Sequence, residues 1–177
     1  MSDQPTPGAA VPLARTRAET HTQGSLTVKS KSFSDEIPRR YSEYADGVSP
    51  EISWTPVEGA KSYALILEDP DAKKVRPFVH WVAWNIPADL TAVPEGLQGL
   101  AQLTESEGLL QGKTSGGSIG YFGPRPPAGD PPHHYHFQVF ALDTVLDAPP
   151  GVERDVVLAA MKGHVLASGE LIGTYQG

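Results

Sequence analysis

Short apolar runs, each stopped by proline, glycine or a polar loop, dominate the chain and predict strands rather than helices. Leu26-Thr-Val-Lys-Ser-Lys-Ser-Phe33 alternates apolar and polar positions, as a half-buried strand does. Arg39 to Pro50 is rich in turn formers and reads as a loop. Glu51-Ile-Ser-Trp54 predicts a short strand ended by Pro56. Ser62-Tyr-Ala-Leu-Ile-Leu-Glu-Asp69 is mostly apolar and stopped by Pro70, and Phe78-Val-His-Trp-Val-Ala-Trp-Asn-Ile86 is β-branched and aromatic and stopped by Pro87. Runs apolar at successive positions predict strands covered on both faces, as in a sandwich.

From Ala88 to Pro132 Gly, Pro, Ser and Thr prevail, which predicts an irregular stretch of a length that is usually functional. Strand character resumes at His134-Tyr-His-Phe-Gln-Val-Phe-Ala-Leu142, and a last strand is expected over about Val165 to Tyr175. One helix is expected, Val152 to Lys162, with Val156, Val157, Ala159, Ala160 and Met161 on its apolar side and Gly163 at C′. The fold class is therefore mainly β: one domain over residues 25–177 behind a loose Pro-, Thr- and Ala-rich tail, residues 1–24.

Composition narrows the function classes. The 17 prolines and 18 glycines in 177 residues imply many turns. A net charge of −7 argues against a nucleic-acid backbone or an anionic membrane as partner, while leaving room for a local positive pocket. The absence of cysteine excludes a disulfide framework, a thiol nucleophile and cysteine-ligated zinc. No apolar run of signal-peptide or membrane-span length is present, so the expectation is a cytoplasmic protein without integral membrane association.

Three segments carry candidate chemistry. Asp69 and Asp71 lie two apart at a strand end, on one side in extended geometry, although Asp-Pro-Asp is also ordinary turn material. His80 stands in an apolar strand and needs a partner, for which a carboxylate of the preceding strand is suited. Gly120 to His136 is a stiff Gly- and Pro-rich loop able to aim backbone amides at an anion. If the next strand begins near His133, then His133 and Tyr135 share one side while His134 and His136 share the other.

These residues give the chain a specific resemblance. Asp69-Pro70-Asp71-Ala72, His80-Trp81 and Asn85-Ile86-Pro87 form one motif. Gly120-Tyr121, Gly123-Pro124, Pro126-Pro127, Gly129 and His133-x-Tyr135-x-Phe137 form the other, leading into Ala141-Leu142-Asp143. Over about residues 25–176 the chain resembles the phosphatidylethanolamine-binding protein (PEBP) family, in its bacterial Raf-kinase-inhibitor-like branch. The resemblance implies a β-sandwich with a few short helices and a pocket for a small anion, phosphate or a phosphoethanolamine-like head group. By position its residues are Asp69, Asp71, His80 and His133, with Tyr121, Gly123, Pro124 and Pro126 on one wall and Tyr135 beside them. Lys73-Lys74, His134 and the Gly112–Ser118 loop depart from the family's usual residues.

The expected function is non-enzymatic anion binding without a cofactor, modulating a kinase or other phosphoprotein partner, since no activated nucleophile is apparent. A homodimer is an option the resemblance leaves open. Two alternatives differ in class. One is a metal-dependent enzyme built on Asp69, Asp71, His80 and His133, or on the cupin-like His134-x-His136, where Phe140 and Ala141 stand in place of the further Glu. The other is an interaction protein of the protease-inhibitor type.

Overall fold

The computed structural model describes residues 11–103 and 108–177. Its strands in chain order are β1 (Val28–Lys29), β2 (Ile52–Trp54), β3 (Ser62–Asp69), β4 (Phe78–Pro87), β5 (Ala92–Val93), β6 (Gln102–Leu103), β7 (Leu109–Gln111), β8 (His133–Leu142) and β9 (Val165–Tyr175). One α-helix, α1, spans Arg154–Met161. The strands form an antiparallel six-stranded sheet in the order β6-β7-β4-β3-β8-β9 and a three-stranded sheet β1-β2-β5.

Both faces of the large sheet are covered, which is why its central strands are apolar at successive positions. Tyr63, Leu65 and Leu67 of β3 pack with Trp81, Phe137 and Val139 against Ile52, Trp54 and Val93 of the small sheet. Ala64 and Ile66 point the other way, into a second cluster with Phe140, Val157, Leu158 and Met161. The expected sandwich is present, with α1 lying over its outer face.

Differences from the sequence reading have local causes. The span 88–132 is not without strands: β5, β6 and β7 lie in it, each too short to show a periodicity. The Leu26–Phe33 strand shrinks to β1, and Arg39–Tyr41 forms a 3₁₀ turn inside the expected loop. The helix buries Val157, Leu158 and Met161 at helical spacing, so Val156 and Ala159, expected on its apolar side, face solvent.

Of the segment 1–24, residues 1–10 lie outside the described residues. Residues 11–24 pack against the sheet: Ala14 is fully buried and its N–H donates to Glu68 Oε1 at 2.7 Å. Arg15 N–H donates to Gln138 Oε1 at 2.9 Å. The anchors are backbone amides meeting buried polar side chains, which hydrophobic patterning does not register.

Candidate functional site: a cavity at one end of the large sheet

Three adjacent strands deliver the site. In the β3–β8 ladder Leu67 faces Phe137, so strand alternation puts Asp69 on the same side of the sheet as Tyr135 and His133. His80 reaches that side by a different route. Leu67 pairs with Trp81 and Glu68 with Val79, leaving His80 as the extra residue of a β-bulge. A bulge re-aims the side chain it carries. Together with the 72–75 segment and the 122–127 loop, these residues enclose a cavity of about 520 Å³. That is within the roughly 300–1,000 Å³ range of small-molecule sites.

At the base of the cavity His133 bridges two carboxylates. Its Nδ1 stands 2.7 Å from Asp69 Oδ2 and its Nε2 stands 3.0 Å from Asp130 Oδ2. Asp69 Oδ1 accepts the Asp71 N–H at 2.8 Å, and Lys73 Nζ donates to Asp130 Oδ1 at 2.8 Å. His80 Nδ1 lies 2.7 Å from the Phe122 carbonyl, which can only accept, so this nitrogen carries the proton. The other His80 nitrogen is then the unprotonated one and can accept. Tyr135 sits between the two imidazoles, its ring centroid 5.3 Å from His80 edge-on and 6.4 Å from His133. It is fully buried, and its hydroxyl has no hydrogen-bond partner among the described residues.

The two histidines carry opposite shifts. Burial pushes His80 down to about 4, with His133 adding repulsion, so His80 is neutral near pH 7. Burial also opposes charge on His133, but its hydrogen bonds to Asp69 and Asp130 win and raise its pKa above the ordinary value. Burial lifts the Asp69 carboxyl, with the His133 hydrogen bond opposing. Lys73, then His133, hold Asp130 low. Desolvation raises Tyr135 above an ordinary phenol, so its hydroxyl is a proton donor at neutral pH.

The structure brings Asp69, His80, Pro126, His133 and Tyr135 onto the cavity wall. Asp71, Tyr121, Gly123 and Pro124 are not among its lining residues. Asp71 instead accepts from the His134 backbone and ring, at 2.7 and 2.8 Å. Tyr121 donates its hydroxyl to the Tyr41 carbonyl at 2.6 Å. Two of the loop amides expected to meet an anion are engaged elsewhere: Phe122 N–H donates to the His80 carbonyl at 2.8 Å and Gly123 N–H to Glu43 Oε2 at 2.9 Å. A side chain at position 123 would collide with the Tyr41 carbonyl, 2.4 Å from where its Cβ would lie, so glycine supports this wall by close approach.

Sequence reasoning missed Asp130 and the aromatic pair Phe78 and Phe122, which flank His80 at ring centroid distances of 4.7 and 5.7 Å. Asp130 carried a usable signal, an acid next to Gly129 and three residues before His133.

Among the described residues no group of three His, Cys, Asp or Glu side chains is placed to hold a metal ion. Metal ligation needs imidazole lone pairs, and both His133 nitrogens face carboxylate oxygens at hydrogen-bond distance. His134 and His136 are held apart from this cluster by Asp71 and Glu170.

Comparison with known proteins gives one consistent answer. Residues 28–176 match the family model described as phosphatidylethanolamine-binding protein. A UPF0098 protein of Methanothermobacter thermautotrophicus is 44% identical over 154 residues, spanning 85% of this chain and 99% of that one. The crystal structure of a PEBP homologue from Chlamydia trachomatis superposes with a TM-score of 0.76 at 36% identity, covering 88% of this chain and 99% of that chain. E. coli YbcL superposes with a TM-score of 0.76 at 28% identity, over 87% of this chain and 99% of its own. Among the described residues no helix is long and apolar enough to cross a membrane.

Proposed function

The chain belongs to the phosphatidylethanolamine-binding protein family, and from that premise we propose that the cavity around His133 seats a small phosphate-like anion without covalent chemistry. The observation that carries the reading is that Tyr135, one of the lining residues, has a buried hydroxyl unpartnered among the described residues. An unmet buried donor costs about 1–3 kcal/mol, which a ligand oxygen in hydrogen-bond contact would recover. The neighbouring His133 has a carboxylate at each ring nitrogen, which raises its pKa and favours the charge of the right sign for an anion.

The rest of the lining supports the same ligand class. Lys73, Lys74 and Arg125 line the cavity, giving cationic character to one spot on a chain of net charge −7. The unprotonated His80 nitrogen suits a proton-bearing ligand atom, such as the P–OH of a monoester or the ammonium of phosphoethanolamine. Apolar Phe78, Phe122, Val75 and Pro127 would exclude water around the head group. Binding rather than catalysis is the preferred reading because none of the described lining residues is Ser, Thr or Cys, the side chains most often activated as nucleophiles. A phosphate carried by a protein offers the same chemistry, so modulation of a kinase or other phosphoprotein is part of the proposal.

Phosphorus NMR and calorimetry with inorganic phosphate and phosphoethanolamine, on wild type and Tyr135→Phe, test this reading. Wild type is expected to bind both, and the variant about tenfold more weakly. Failure of wild type to bind either ligand would overturn it.

A further inference from the structure

The imidazole of His133 has two nitrogens, and both are taken. The carboxylates that take them differ in how they are held. Asp69 ends β3, is 3% exposed, and is fixed from behind by the Asp71 N–H. Asp130 follows Gly129, whose φ of +92° turns the loop. Its N–H donates to the Pro127 carbonyl at 3.2 Å and its own carbonyl accepts from Gln176 Nε2 at 3.1 Å. With the backbone held at both ends, rotation of the side chain is the simplest way to carry the Asp130 carboxylate off His133. Its second support, Lys73 Nζ at 2.8 Å, belongs to a side chain that is 73% exposed. Such a contact is weak and readily exchanged.

An incoming anion therefore finds a carboxylate already on the imidazolium. Asp130 is not itself among the lining residues of the cavity, but it covers the Nε2 of His133, which is one of them. We propose that Asp130 is the resident anion on His133 and that a ligand binds by displacing it from His133 Nε2. The inference rests on the reading of the cavity as an anion seat, and adds what selects the anion. A simple carboxylate would give His133 the same single charge that Asp130 withdraws, and would leave Asp130 uncompensated beside it. A phosphate or sulfate group brings a second charge and more acceptor oxygens. It can engage His133 Nε2–H and Tyr135 O–H together, with Lys73 free to follow. Asp130 is thus the specificity-determining residue, admitting tetrahedral dianions and rejecting monocarboxylates.

Calorimetric titration of the full chain with phosphate, phosphoethanolamine and acetate, in wild type and Asp130→Asn, decides the matter. The variant is expected to bind phosphate at least tenfold more tightly than wild type and to acquire acetate binding that wild type lacks. Loss of a merely structural contact would weaken binding, not strengthen it. Equal or weaker phosphate affinity in the variant, with wild type binding normally, overturns the displacement and leaves the anion seat standing. Weaker phosphoethanolamine binding with unchanged phosphate binding also overturns it, because Asp130 would then be receiving the ligand ammonium. If neither protein binds phosphate, the anion seat fails and the displacement with it. Should the variant fail to fold, the Asp130 carboxyl ¹³C resonance of wild type gives the same answer: it shifts on phosphate addition if the contact is released, and an unmoved resonance under saturating phosphate overturns the proposal.

Discussion

Asp69 and His133 lie 64 residues apart in sequence and meet through a 2.7 Å contact, with Asp69 at the end of one central strand and His133 at the start of its neighbour. That contact divides the roles of the two histidines. The carboxylates at its two nitrogens raise the pKa of His133, whereas His80, one strand further over, is buried against Phe78 and Phe122 and is pushed down to about 4. Long-range ¹H–¹⁵N NMR should therefore show His133 titrating above an ordinary imidazole and a neutral His80 protonated on Nδ1 from pH 7 down to about pH 5. Two histidines titrating together near their ordinary value would contradict this.

Replacing Asp69 with Ala takes away the better-fixed support of the imidazolium. A partner lost from a buried ion pair costs about 3–5 kcal/mol, and the exposure of the far end of the cluster places this case near the lower figure. Denaturant unfolding is expected to show a loss of about 3 kcal/mol, with the His133 pKa falling in the same variant. Unchanged stability would mean that the contact contributes little.

His80 makes stability depend on pH in a defined window. In the unfolded chain an imidazole protonates near 6.5, while the folded ring resists protonation down to about 4. Between those values the unfolded state binds more protons, so this stabilising contribution is complete above pH 6.5 and is lost as pH falls toward 4. The window amounts to about 3 kcal/mol. His133 runs the other way: its contribution is complete below 6.5 and fades as pH rises through its raised pKa. Urea unfolding across the acid window should give a shallower loss for His80→Gln than for wild type, and parallel curves would count against a buried neutral His80.

For Tyr135→Phe, stability and binding should part company. The ring packing is kept and an unpartnered buried hydroxyl is removed, so the melting temperature is expected to hold or rise. Anion affinity is expected to drop by about tenfold, equivalent to about 1.4 kcal/mol. A marked drop in melting temperature would show that the hydroxyl already has a partner inside the protein.

Much of the fold was legible because β3, β4, β8 and β9 are apolar runs bounded by proline or polar loops. The strands β5 to β7 were not, because each is too short to show a period and side-chain hydrogen bonds that patterning does not register help to hold them. Gln111 is an example: its side chain accepts from Trp81 Nε1 at 2.8 Å and donates to the Gln98 and Leu100 carbonyls at 2.8 and 2.9 Å. In the site, alternation separated His133 and Tyr135 from His134 and His136, and the structure keeps them apart. The bulge that turns His80 into the cavity leaves no mark on a run that is apolar on both sides. Asp130 escaped because the proline and glycine of its loop drew attention to backbone amides, of which those of Phe122 and Gly123 are used internally.

The N-terminal segment offers a test of its own. Glu68 is fully buried and ion-paired with Arg154, and its Oε1 accepts from Ala14 N–H and Gln138 Nε2. Deleting residues 1–20 leaves this carboxylate one donor short and exposes apolar surface that Ala14 covers. Unfolding measurements should show a loss of about 2 kcal/mol or more. A truncated chain as stable as the full one would mean that the segment only rests on the sheet.

The central claim is that an anion sits against His133 and Tyr135, and the position of a heavy anion tests it most directly. In crystals equilibrated with tungstate, a tetrahedral dianion that scatters strongly, anomalous density is expected within hydrogen-bond distance of Tyr135 Oη and His133 Nε2. The Asp130 carboxylate should be turned away in the same crystals. An empty cavity, or tungstate bound only elsewhere on the surface, would contradict the account.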